Sequence, residues 1–546
     1  MDISELRKKI DGIDAAIVQN ISERFKIVQK IAKIKKSQGI QIFQPEREVE
    51  LLSQRRKLAK KIGVSENLIE DIFRKIVQES RKIQSEDEAS PLGIFPSSLR
   101  FQKKELPLRN ISLLDIFEKI ACTQKDFFFL ESLGEDEWSE YSFLGFSPHA
   151  IISSKEGKMF VNGKEFLIDS EKNPLEALDQ LFAPFAGITQ EKRFRGGLIG
   201  YLGTESARFY DASIPTSSEK GDFPDFLFGL FLDGLVYDRK RQALEYFTWH
   251  EDRSSQIQKL LAQKISPKKI TQKYVKSSCT DTEFEKMVER MKEEIVSGNI
   301  FQIVPSRKFE YEIHGSLLNF YGRLREVNPS PHMYFLKFGK IQIIGSSPEL
   351  VGRIEGERIE TFPIAGTRSR GKTPEEDSAK AAELLADPKE VAEHMMLVDM
   401  ARNDLGKVCE YGSVEVNRLM SIKKFSHVQH IVSEISGILR KNISALRGII
   451  ANFPMGTVCG SPRIEAMKIL VREEKVPRGP YGGAVGFWSF SGDATFALAI
   501  RSLFVHGEKG FCQAGAGIVY DSVPEFERKE VNKKSQHVRE ILEEFE

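Results

Sequence analysis

Glu390 and Glu393 stand three apart within Lys389–Val408, KEVAEHMMLVDMARNDLGKV, and Glu527 and Glu530 repeat that spacing near the C-terminus. At helical period Glu390, Glu393, Leu397 and Met400 fall on one stripe, so two carboxylates continue an apolar face. Unpaired buried charge costs several kcal/mol, and no Lys or Arg shares that stripe in the preceding turn. Ser522-Val-Pro-Glu525 has the form of a capping box and predicts the start of the helix carrying the second pair. Four carboxylates on two helices suit a hard, oxygen-preferring cation, Mg²⁺ above all. The competing reading is a pair of solvated helix faces, since 29% of the chain is charged.

The elements that must position these groups differ along the chain. Residues 1–84 read as all helix. Ile3, Leu6, Ile10, Ile13, Ile17 and Ile21 lead into Val28, Ile31 and Ile34, a first helix of about 35 residues. Pro45 opens a second at a first-turn position where proline is tolerated, and Ser65 caps a third. So long a first helix cannot bury its stripe against two shorter ones, which implies a homodimer sharing cores. Residues 85–98, SEDEASPLGIFPSS, form an acidic, aperiodic linker. Beyond it strand-like runs dominate: Phe127–Ser132, Gly196–Gly203, Phe226–Tyr237, Met333–Ile344 with a turn near Gly339, and Ala497–Val505. Thr280 and Glu283 predict a capped helix with the stripe Phe284, Met287, Met291 and Ile295. The expected fold is multidomain: an all-α three-helix domain, then a large α+β region of mainly antiparallel sheets flanked by helices. The boundaries are 1–84, the linker 85–98, 99–270 and 271–546.

Composition excludes some partners. A net charge of +1 argues against nucleic acid and acidic membranes, although residues 1–84 hold 19 basic against 12 acidic groups. Five scattered cysteines without a C-x-x-C point to a reducing compartment. With no signal-like or spanning apolar run, the expectation is a soluble cytoplasmic protein.

Pro363-Ile-Ala-Gly-Thr367-Arg-Ser-Arg, the Lys389 segment, Gly456-Thr457…Gly460-Ser-Pro462, Arg478-Gly-Pro-Tyr481-Gly-Gly-Ala-Val-Gly486, Ala499-Ile-Arg501 and Gln513-Ala-Gly515-Ala-Gly517 follow in that order. Together, from about Phe127 onward, they closely resemble the large subunit of anthranilate synthase, a chorismate-utilising enzyme. The resemblance implies Mg²⁺ at Glu393 and Glu530, with Glu390 and Glu527 acting mostly through water. It implies a substrate pocket at Gly366, Thr367, Thr457, Tyr481, Arg501, Gly515 and Gly517. It also implies ring chemistry assisted by His430 and Glu349 as general acid for the departing 4-hydroxyl. Where water-adding relatives place a lysine base, this chain has Gln302; where aminodeoxychorismate synthases commonly carry a lysine nucleophile, it has Ala365. Both substitutions favour anthranilate, made with ammonia from a separate glutamine amidotransferase subunit, because no cysteine lies in a Gly-x-Cys-x-Gly turn. Departures at Ser461, Arg463, Thr495 and Lys533 keep aminodeoxychorismate open as the product. Leu130-Glu131-Ser132 and Asn328-Pro-Ser-Pro331-His332-Met333 resemble two segments that bind a tryptophan effector, with His332 in place of a usual Tyr.

Arg7, Arg24, Lys35, Arg47, Glu48, Ser80 and Gln84 resemble, residue by residue, the site of the all-helical chorismate mutases. That reaction is pericyclic, so its enzyme must hold a dianion compactly and stabilise charge on the ether oxygen. By resemblance Arg7, from the partner chain, joins Arg24 and Ser80 on carboxylates. Lys35 and Gln84 face the ether oxygen and Glu48 the ring hydroxyl. Gln44 replaces a usual Asp, which weakens activity or leaves a non-catalytic regulatory or dimerising module.

Overall fold

The computed structural model describes residues 2–38, 45–86, 95–96, 99–108, 111–133, 140–166, 168, 172–217, 219–424 and 428–545. Two compact units divide at Arg100 and Phe101.

The first unit holds three helices, α1 (Ile3–Gln38), α2 (Pro45–Ile62) and α3 (Glu66–Glu86). Pro45 and Ser65 act as anticipated: Pro45 is the first residue of α2, and the Ser65 hydroxyl accepts the Leu68 amide at 3.4 Å. Among the described residues only a short stretch of α1 is buried. Val28 and Ala32 are buried against Ala59, Val77 and Ser80, whereas Ile3, Ile10, Ile13 and Ile17 remain more than half exposed. Most of the linker 85–98 lies outside the described residues.

The second unit is built on two large sheets of eleven and twelve described strands. Pairing is antiparallel, as in Phe127–Glu131 against His332–Phe338 and Ala484–Ser489 against Gly197–Leu202. The sheets face one another through aromatic rings; Phe128 of the first lies 4.6 Å from Phe231 of the second, and Phe143 lies 5.9 Å from Phe487. On the outer face of the first sheet Phe129 and Phe335 pack against Phe117 of helix Leu113–Thr123 and Tyr321 of helix Leu318–Val327. Helix Asp281–Val296 carries the expected capping box at Thr280 and Glu283 and buries Phe284, Met287 and Met291. Strands His332–Phe338 and Ile341–Ser347 form the anticipated hairpin, with Gly339 at φ 59°.

Three local expectations fail. Phe226–Tyr237 is two strands, Phe226–Phe231 in the second sheet and Asp233–Asp238 in the first, because the chain crosses between layers at Leu232. Ala497–Val505 is likewise divided: Ala494–Leu498 belongs to the second sheet and Ser502–His506 to the first. An apolar run cannot announce such a crossing, since both strands are buried. Ser522 does not cap the C-terminal helix Pro524–Glu543, whose N-cap is Val523 without a side-chain bond. Its hydroxyl turns inward and accepts the Val519 amide at 3.1 Å.

Candidate active site

The crossing at Ala499–Arg501 is where the large unit gathers its polar residues. Arg501 sits at φ 53°, left-handed for a non-glycine residue. Its guanidinium donates to the Lys534 carbonyl at 3.3 Å. Burial lowers the Arg501 pKa, partly opposed by Tyr481 and Glu530. Tyr481 is 3% exposed, and burial pushes its phenol up to about 12. A Cβ on Gly515 would lie 3.1 Å from the Tyr481 hydroxyl, so the glycine brings bare backbone against it. A Cβ on Gly517 would approach the Gln302 amide at 2.9 Å and the Glu393 carboxylate at 3.9 Å. Tyr481, Arg501, Gly515, Gly517, Gln302 and Glu393 therefore lie close together.

An acid and an amide define the chemistry of this site. Glu349 is 6% exposed and accepts the Thr457 hydroxyl at 2.8 Å. Burial pushes its carboxyl up to about 7, against the pull of Thr457 and Lys534. The Gln302 Nε2 donates to Glu393 Oε1 at 3.1 Å, while Oε1 of the same amide is buried with no partner among the described residues. His430 Nδ1 lies 2.8 Å from the Gly366 carbonyl and 3.1 Å from the Thr367 hydroxyl. A carbonyl only accepts, so Nδ1 carries the proton and Nε2 is the basic nitrogen of the neutral ring. Burial lowers the His430 pKa and favours that neutral form.

Two of the four glutamates are already paired with cations, one of them a residue distant in sequence. Glu390 pairs with Arg368 at 3.2 Å and Glu530 with Lys534 at 2.6 Å. Burial and then Glu390 raise the Glu393 pKa; burial raises that of Glu527, with Glu530 adding to it. No three of these carboxylates offer oxygens within 4.8 Å of one another. As a donor set they nonetheless fit a divalent cation: all are carboxylates, and both pairs carry a partly buried repulsion that such an ion relieves. Lys389 and Lys534 each act on carboxylates of both helices.

Lys534 is the residue that sequence reading missed. Its ammonium donates to the Gly515 carbonyl at 3.1 Å and acts electrostatically on Glu349, Glu393, Glu527 and His430. The available signal was its position four residues after Glu530, which places both on one helix face.

A separate cavity of about 130 Å³ opens between the sheets. Leu130, Glu131, Ser132, Pro331 and Met333 all line it, with Leu350, Arg353, Val485 and Ala497 from the second sheet. The Glu131 carboxylate is already committed, accepting Tyr321 at 2.6 Å and Arg325 at 2.8 Å, so it braces the wall.

In the helical unit Arg24 donates to the Ser80 hydroxyl, whose own proton goes to the Ile76 carbonyl at 2.6 Å. Arg7 is exposed. The side chains of Lys35, Arg47, Glu48 and Gln84, and all of Gln44, lie outside the described residues.

Residues 125–540 match the family described as chorismate binding enzyme. The chain belongs to that family. Residues 6–85 match chorismate mutase type II, so a mutase-type helical segment precedes the chorismate-binding unit. Anthranilate synthase component 1 of Methanothermobacter thermautotrophicus is 46% identical over 79% of this chain and 92% of its own length. Aminodeoxychorismate synthase component 1 of Bacillus subtilis is 37% identical over 81% of this chain and 96% of its own. The crystal structure of anthranilate synthase component I from Streptococcus pneumoniae TIGR4 superposes with TM-score 0.64 at 32% identity, covering 75% of this chain and 94% of that one. The chain is thus an enzyme joining a chorismate mutase segment to an anthranilate synthase component I-like unit. Among the described residues no helix is long and apolar enough to cross a membrane.

Proposed function

We propose that the chain is bifunctional, converting chorismate to prephenate in residues 1–84 and to anthranilate in the region 271–546, with 99–270 contributing the effector-binding segments. The observation that carries the second activity is Gln302. A buried amide, tied through Nε2 to Glu393, stands where a base would be needed to activate water. Ammonia arrives as a competent nucleophile and needs no base. It adds at C2, the ring double bonds shift, the 4-hydroxyl leaves as water on taking the Glu349 proton, and the new C2 ammonium gives up one proton to become the amine. His430 then accepts the C2 proton as the ring C3–O bond breaks and the ring becomes aromatic; the enolpyruvate released takes one proton at its methylene carbon and departs as pyruvate. Tyr481, Arg501, Lys534 and the amides near Gly517 hold substrate carboxylate. Glu390, Glu393, Glu527 and Glu530 would hold Mg²⁺, which supplies a hard positive charge for a carboxylate. The printed name of the Bacillus subtilis relative keeps aminodeoxychorismate as the second reading, and Ala365 speaks against it.

In the helical domain the ether C–O bond breaks as a C–C bond forms, without proton transfer. Arg24 and Ser80, already paired, support carboxylate binding there. The exposed stripe Ile3, Ile10, Ile13 and Ile17 supports a homodimer through α1. Tryptophan is the effector proposed for the cavity between the sheets. Five free cysteines suit a reducing cytoplasm. Ammonia would come from a separate amidotransferase subunit. The test is incubation of the full chain with chorismate, Mg²⁺ and ammonium. Prephenate and fluorescent anthranilate are expected; an aminated, non-aromatic product would overturn the anthranilate reading.

A further inference from the structure

Two guanidiniums in the helical unit lie along one face of α3, and no carboxylate among the described residues receives them. Arg24 of α1 reaches Ser80, a neutral partner. Arg55 of α2 lies over the Phe73 ring at 5.5 Å. Phe73 and Ser80 are seven residues apart, so they share a face of α3 about 10 Å apart along its axis. Val77 lies between them, buried with Val28, Ala32 and Ala59. The Arg55 Nε is buried and has no hydrogen-bond partner. Among the described residues neither Arg24 nor Arg55 has a carboxylate partner. That is not for want of acids on α3, because the adjacent Arg56 pairs with Glu70 at 3.1 Å and lies near Glu66 at 3.8 Å. The proximity of the two cations is also felt: after burial, Arg55 is the second influence lowering the Arg24 pKa. Two like charges held together in a partly buried place are a standing cost unless an anion joins them.

We propose that Arg55 is a further carboxylate-binding residue of the helical domain, acting with Arg24 and Ser80 on a dicarboxylate substrate. Arg55 lies outside the set that the mutase resemblance supplies, and the assignment rests on the mutase reading of that domain. Its planar fork gives a carboxylate two parallel donors, and the Phe73 ring lies 5.5 Å from its guanidinium carbon. The role is binding in ground and transition states alike, so its loss falls on KM.

The test is prephenate formation by the full chain carrying Arg55→Met, Arg55→Lys or Arg56→Met, each checked for helix content and melting temperature. Arg55→Met is expected to raise KM about 10- to 100-fold with little change in kcat, the loss of one charged hydrogen-bonding partner. Arg55→Lys should recover part of that, and Arg56→Met should leave KM as it is. A lowered melting temperature with unchanged KM in Arg55→Met would make the residue structural and overturn the proposal. A wild-type chain that forms no prephenate would instead overturn the mutase reading, and this assignment with it.

Discussion

Glu349 and Leu350 are consecutive residues that look into two different places. Leu350 lines the cavity between the sheets, while the Glu349 carboxylate accepts Thr457 at 2.8 Å in the proposed active site. Strand alternation turns neighbouring side chains to opposite faces. The pair is further tied to one backbone ladder: Leu350 opposes Ala497, another cavity residue, and Leu498 donates its amide to the Glu349 carbonyl at 3.0 Å. The cavity wall and the peptide that carries Glu349 therefore share one stretch of backbone.

Tryptophan should inhibit the large unit, and chorismate should weaken tryptophan binding by the same factor. Leu350→Ala enlarges the shared wall and is expected to reduce inhibition several-fold while tryptophan still binds. Calorimetry with and without chorismate, beside inhibition curves, measures both effects. Absence of tryptophan binding at millimolar concentration would remove the effector reading.

In the proposed reaction Glu349 acts as the acid and must be protonated; burial pushes its carboxyl up to about 7, which places the loss of that proton within the working range. With ammonium as donor, the rate per unit of free NH₃ should fall about tenfold per pH unit above that value. Glu349→Gln should slow the reaction by orders of magnitude and abolish this limb. Thr457→Val removes a bond that favours the ionised carboxylate, so it should move the limb to higher pH. The linked stability effect has a definite sign. The native chain keeps a proton that the unfolded chain releases between 4.5 and about 7, so this group's contribution to stability falls as pH rises through that window.

Glu393→Gln and Glu530→Gln each remove one charge with almost no change of shape. Mg²⁺ affinity, read by calorimetry without substrate, should drop at least tenfold in each. Unaltered metal binding in both variants would place the ion elsewhere.

The two activities should be separable. Arg24→Ala is expected to remove prephenate formation by orders of magnitude while anthranilate formation persists, and Glu393→Gln should do the converse. Parallel loss of both activities in either folded variant would argue for one shared site.

Glutamine alone should give no anthranilate, because Cys459, in the glycine loop, is fully buried and burial pushes its thiol up to about 11. Ammonium should suffice, and an added amidotransferase subunit should restore glutamine use. Turnover with glutamine by the chain alone would reveal a cysteine centre that this site lacks.

Much of this enzyme is written locally. Hydrophobic period sets α1 and the stripe Phe284, Met287 and Met291, the Thr280–Glu283 box starts its helix, and the ordered glycine motifs mark the proposed site. These are short-range facts, fixed by residues a turn or a strand apart. Tertiary structure alone decided which charges meet. Gln302 reaches Glu393 across 91 positions, Arg368 claims Glu390 from a neighbouring strand, and Lys534 enters the middle of the site. It also turned Ser522 inward and broke the run around Arg501 where the chain changes sheets. Such pairings depend on how the layers stack, and the energy of a buried charge depends on partners that no local pattern can name.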